Sequence, residues 1–199
     1  MDFRSMVNNA LRTPDQIAQE KARAEEQARL AQYKRAAEYI YGRIKTAILN
    51  KAQNGKATNS TITGTASIPW EGGYDDNIPY GNIFNAKYQT SGGRSNGFLT
   101  LYYKDTYRQS LSIQDITTLR QVFDMVRMYC NSDDIKISEP FILCEILDWN
   151  TKHVKEVKQF LIRNNTLSAS VTTTKRGSGY KWDGETAIFS LAVDYSFSL

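Results

Sequence analysis

Residues Thr186 to Leu199 read TAIFSLAVDYSFSL, and their alternation decides the class of fold. Ala187, Phe189, Leu191, Val193, Tyr195, Phe197 and Leu199 fall on one side, while serines, Ala192 and Asp194 make up most of the other. Successive side chains of a strand point to opposite faces, so this period of two describes a strand with one buried face and one polar face. Such strands belong to antiparallel sheets whose helices cover a single side.

Working back from this strand, Leu167 to Thr174 reads as its neighbour, with the loop KRGSGYKWDGE between them. Thr61 to Ile68 alternates isoleucine and small residues against threonine and serine until Pro69 stops it. Phe98 to Tyr103 reads as a further strand, and residues 135–147 as a short strand either side of Pro140, since proline cannot donate to a ladder. Residues 71–97 are rich in Gly, Asn and Tyr and read as a long surface excursion with room for one short strand.

Three helices complete the expectation. Thr13, Pro14 and Gln16 form a start signal: a capping hydroxyl, a proline at the first helical position, and a glutamine three residues after the cap. Strong helix formers then run to Asn54 and Gly55, broken only by Gly42. A helix of that extent is about 60 Å long, roughly twice the width of a small domain. Ser112 and Asp115 open a second helix, with Ile113, Ile116, Leu119, Val122, Phe123, Val126 and Tyr129 on its inner side. The spacing of Val154, Val157 and Leu161 predicts a third over residues 151–164, with a lysine-rich outer face. The fold class is therefore α+β: a long N-terminal helix plus an antiparallel sheet with one face covered by helices. Residues 1–56 form a helical arm partly packed on the body, and residues 57–199 form the α+β body.

The arm has two unlike halves. Ile40, Ile44, Ala47, Ile48 and Ala52 make an apolar stripe suited to packing on the body. The earlier half offers small residues, so residues 14–38 are assigned to a protein partner or to self-association. Ala24, Ala28 and Ala31 would allow close, coiled-coil-like approach, with Tyr33 as anchor. The net charge of +4 also resides in the arm: eleven cations face six acids up to Lys56, leaving fourteen against fifteen beyond it. Acids interleaved along the helix dilute this charge, as in a solvated helix laced with both signs.

At 199 residues the chain suffices for one core. The opening MDFRSMVNNALRT does not resemble a secretory leader, and no window has the apolar length of a membrane span, so a cytoplasmic or virion setting is expected. Cys130 and Cys144 lie in apolar runs and read as buried free thiols. His153 is the only histidine and no nucleophile elbow accompanies it, so no catalytic set emerges. A zinc set drawn from Cys130, Cys144, His153 and Asp148 lacks the close cysteine pairs of such sites. Asp75, Asp76, Asp133, Asp134, Glu139, Glu145 and Asp148 are the acids an enzyme of unrecognised type would use. The glycine segments match neither phosphate-binding fingerprint, and no cofactor is indicated. Lys175, Arg176 and Lys181 with Tyr180 and Trp182 have the composition to touch phosphates and stack on bases. The expected function is a non-enzymatic structural or interaction subunit of a larger cellular or viral assembly. The alternative is a nucleic-acid-binding protein using the arm and the 175–182 loop.

Overall fold

The computed structural model describes residues 13–54, 60–69, 87–96, 100–163 and 165–199. Its first element, α1 (Pro14–Gln53), is one continuous helix of 40 residues. Thr13 caps it: the Thr13 hydroxyl accepts from the Gln16 N–H at 3.3 Å, and the Gln16 side chain accepts from the Thr13 N–H at 3.0 Å. Gly42 does not break it, because the glycine lies on the exposed side and its carbonyl accepts from the Thr46 hydroxyl at 2.9 Å. The helix ends at Asn54 with φ −81°, outside the left-handed region the sequence suggested, and the Asn54 amide donates back to the Asn50 carbonyl. Gly55 lies outside the described residues.

Five strands gather on the C-terminal half of the chain: β4 (Ile135–Ile137), β5 (Phe141–Asp148), β6 (Val154–Leu161), β7 (Leu167–Ser178) and β8 (Lys181–Ser198). They follow β1 (Thr61–Pro69), β2 (Lys87–Asn96), β3 (Leu101–Leu111) and the second helix, α2 (Ile113–Ser132), which opens on the expected Ser112–Asp115 capping box. All pairings among the described residues are antiparallel, in the order β2-β3-β7-β8-β5-β6, with β1 and β4 also on β8. The 18-residue β8 is the spine. Its first residues pair with β7, its middle with β5, and its end with β1 and β4.

Helices cover one face. The inner row of β8 (Ala187, Phe189, Leu191, Val193, Tyr195) joins one core with Ile40, Ile44 and Ile48 of α1 and Leu119, Phe123 and Val126 of α2. At the expected 25 cal/mol per Å² of apolar surface, each such isoleucine or leucine contributes about 1.5–3 kcal/mol. The helical stripe is longer than the sequence suggested at its N-terminal end, since Tyr33, Ala36 and Ala37 are also buried, and Ala52 is exposed. The second sheet face is not uniformly wet: Phe141, Leu143 and Ala192 form a small cluster of their own.

Three expectations are corrected. Residues 151–164 do not form a helix; β6 occupies Val154–Leu161 and pairs with β5. A register shift between Ile146 and Leu147 inserts an extra residue, so Val154 opposes Leu147 while Val157 opposes Glu145. The bulge brings residues three apart onto one face, which is how a strand reproduced helical spacing. Val154, Val157 and Leu161 are half exposed rather than inward. The excursion at 71–97 includes the full strand β2, and the strand read at 98–103 runs on to Leu111, with Phe98 outside the described residues. The loop 175–185 is almost all strand, closed by the two-residue turn Gly179–Tyr180.

Candidate functional site

The arm divides at Tyr33. Every residue from Thr13 to Gln32 is exposed, including Ile17, Leu30 and the assigned contact residues Ala24, Ala28 and Ala31. Along it, Lys21 pairs with Glu25 at 3.9 Å and Arg29 with Glu26 at 3.7 Å, surface pairs of about 0.3–0.5 kcal/mol each. Tyr33 is not available as an external anchor. It is 7% exposed and its hydroxyl lies 3.4 Å from that of Thr118 on α2. From Tyr33 onward the helix belongs to the body, and its far end is tied to β1 by the Lys51 ammonium donating to the Thr63 carbonyl.

Asp133, Glu139 and Asp148 take local structural roles. Asp133, at the end of α2, accepts from the Tyr41 hydroxyl and lies 3.2 Å from the Lys45 ammonium. The Tyr41 hydrogen bond, then Lys45, holds its carboxyl below the usual aspartate range. Glu139 meets Arg127 at 2.6 Å. Asp148 folds into its own turn, accepting the N–H groups of Asn150 and Thr151 and the Thr151 hydroxyl, which lowers its pKa. Asp75 and Asp76 lie outside the described residues. His153 is exposed in the turn ahead of β6. Cys130 and Cys144 are buried free thiols whose pKa values burial pushes up to about 11. Among the described residues no three of His, Cys, Asp and Glu gather into a metal-holding group, and no helix is long and apolar enough to cross a membrane.

A different group of side chains does converge. Tyr103 from β3, Trp149 from the β5–β6 turn, and Lys175 and Trp182 from the β7–β8 hairpin line a cavity of about 350 Å³ with Asp105. The Lys175 ammonium sits 3.7 Å from the Trp149 ring centre and 3.3 Å from the Asp105 carboxylate, with both charged side chains less than one-fifth exposed. Lys152 lies 4.5 Å over the same indole, Arg94 lies 4.8 Å over the Tyr103 ring, and Tyr103 meets Trp182 edge-on at 5.4 Å. Cations over aromatic faces are worth about 0.5–2 kcal/mol each, more where water is excluded, as it is around Lys175.

Glycines make this grouping possible. Gly92 is paired across from Asp105, Gly177 from Trp182, and Gly184 from Lys175. A Cβ on Gly177 would come within 2.4 Å of the Trp182 ring, and one on Gly92 within 2.5 Å of the Asp105 carboxylate. Their missing side chains form the floor on which the larger neighbours lie. The Asp148 turn then aims Trp149, and two bonds lock that turn to the hairpin: Trp149 N–H to the Gly184 carbonyl at 2.9 Å and the Asn150 amide to the Trp182 carbonyl at 2.5 Å. A second, more polar cavity of about 550 Å³ shares Trp182 and is lined by Tyr102, Asn150, Arg176, Lys181 and Asp183 among others.

This arrangement corrects the contact set read from the sequence. Lys175 is committed to Asp105 and Trp149 and is not a free phosphate ligand. Arg176 pairs with Asp183 at 3.2 Å in the open. Lys181 is exposed, Tyr180 stands fully exposed at the tip, and Trp182 turns inward to Tyr103. Tyr103, Asp105, Trp149, Lys152 and Arg94 were missed because three separate chain segments supply them. The signal for them was the glycine spacing inside alternating strands. No protein-family model, curated protein or solved structure matches this chain.

Proposed function

We propose that the protein is a non-enzymatic interaction subunit of a larger assembly, in the cytoplasm or in a virion, that docks a protein partner along residues 14–32 of α1. The observation that supports this reading is the exposure of that whole stretch on every side while it continues, unbroken, a helix anchored in the core. Most helical stability in proteins comes from packing a face against the body, which this stretch lacks. Here the packed half nucleates it, and it extends about 28 Å beyond the last buried residue. Ile17 and Leu30 are its only bulky apolar side chains, each worth about 1.5–3 kcal/mol on full burial, and the alanines between them admit a close neighbour. Docking through this segment alone is therefore weak and reversible.

Sedimentation equilibrium and amide exchange test the proposal on the full chain and on a version starting at Gln32, which retains every buried residue of α1. Fast exchange over residues 14–32 in the dilute chain, slowing as concentration or a partner is raised, is the expected result. A strict monomer in which residues 14–32 are as protected as Ile44 would overturn it.

A further inference from the structure

We propose that the cavity of about 350 Å³ beside Trp182 binds single-stranded nucleic acid, a base stacking at Trp182 and phosphates meeting Lys152 and Arg94. The site is distinct from the arm and stands on independent observations. Trp182 lines both cavities, with one part of its ring resting on the Gly177 backbone. It is therefore held rigidly at a boundary where a planar group can lie against it at little entropic cost. Tyr103 on β3, across β7 on the same sheet face, and Trp149 line this cavity beside it, whereas Tyr102 belongs to the opposite face. A sheet surface carrying spaced aromatic rings is a stacking platform for successive bases, tolerant of sequence because every base has a π-face.

Charge selects the polyanion. Arg94, Lys152 and Lys175 surround this cavity, against Asp105 and the turn-forming Asp148, while Arg176, Lys181 and Asp183 lie on the opposite sheet face. Lys175 and Arg176 are neutralised by Asp105 and Asp183. Arg94 and Lys152 have no carboxylate partner among the described residues and sit at the margins, over Tyr103 and Trp149, where a backbone would pass while its bases turn inward. The internal pair Lys175–Asp105 has the other role: it braces Trp149 from below, so the floor is already ordered when ligand arrives. Unpaired bases are needed to reach the rings, which selects single strands over duplex.

The test uses the full chain and a fluorescein-labelled oligothymidylate of about 12 nucleotides, read by anisotropy and by quenching of tryptophan emission at low salt. Binding that falls linearly on a log–log plot against salt is expected, with duplex of the same length bound more weakly. Trp182→Ala should weaken binding about 5- to 100-fold. The exposed double substitution Arg94→Ala/Lys152→Ala, which leaves the core untouched, should flatten the salt slope by about 1.4 at an unchanged melting temperature. No retardation of the single strand at low salt overturns the proposal. So does equal affinity for duplex, or a salt slope indifferent to Arg94 and Lys152.

Discussion

The Tyr33 hydroxyl on α1 lies 3.4 Å from the Thr118 hydroxyl on α2, and this buried pair marks the point at which the long helix leaves the body. Residues before it are exposed on all sides, and those after it share the core with the sheet. Tyr33→Ala empties a packed site and strips Thr118 of its partner, so a loss of about 3–5 kcal/mol is expected. Tyr33→Phe, which removes only the hydroxyl, should cost about 1 kcal/mol. Urea unfolding with an unchanged slope distinguishes the two. Equal, negligible losses would show that the helix is not anchored there.

The same division predicts opposite fates for two aspartates placed on α1. Ile44 is fully buried, and Ile44→Asp puts a charge among Ile and Phe side chains, at a cost on the order of 4 kcal/mol. Ala24 is exposed, and Ala24→Asp should change unfolding by no more than about 0.5 kcal/mol while reducing any association through the arm. Thermal unfolding beside sedimentation separates these effects. A comparable loss of stability from both would contradict the exposure of residues 14–32.

The surface triad Tyr41, Lys45 and Asp133 should shape stability against pH at both ends. The Tyr41 hydrogen bond and Lys45 depress the Asp133 carboxyl. Its contribution is thus present above the unfolded value of about 3.9 and is lost as pH falls through the lower folded value. Tyr41 is raised by its bond to Asp133, and Lys45 by its contacts with Tyr41 and then Asp133. Their contributions hold below about pH 10 and are lost as pH rises through the raised folded values. All three groups are solvent-accessible, so the effect is modest and screened by salt. Melting temperature against pH should show Tyr41→Phe less stable than the parent near neutral pH, with shallower losses toward both the acid and the alkaline end. A profile identical to the parent would remove the triad from the stability balance.

Gly184 adopts φ +138°, and a Cβ there would lie 2.5 Å from both the Lys175 Cα and the Thr174 carbonyl oxygen. It stands where β8 ends its pairing with β7 and begins its pairing with β5, and its carbonyl accepts from the Trp149 N–H. Gly184→Ala therefore combines backbone strain with a clash, and a loss of about 2 kcal/mol or more is expected. The accompanying sign should be a changed near-ultraviolet circular dichroism signal, because Trp149 and Trp182 lose their shared support. A variant as stable as the parent with an unaltered aromatic signal would disprove this role.

Sequence alone determined what local chemistry controls. The two capping boxes, Thr13 with Gln16 and Ser112 with Asp115, name their helix starts because each is completed within one turn. The alternation of Ala187 to Tyr195 names the buried row of β8, since burial on one face demands a period of two. The α+β class followed from these elements. Tertiary structure alone decided whatever depends on a partner strand. The bulge opposite Ile146 and Leu147 made β6 look helical, because an inserted residue converts a step of two into three. Tyr33 was read as a surface anchor because its buried partner, Thr118, lies eighty-five positions away. The Tyr103, Trp149, Lys175 and Trp182 cluster is assembled by cross-strand register and by glycines that matter only through what lies opposite them. Local hydrogen bonds and periodicity are written along the chain, whereas register and close approach are set by the global minimum of packing.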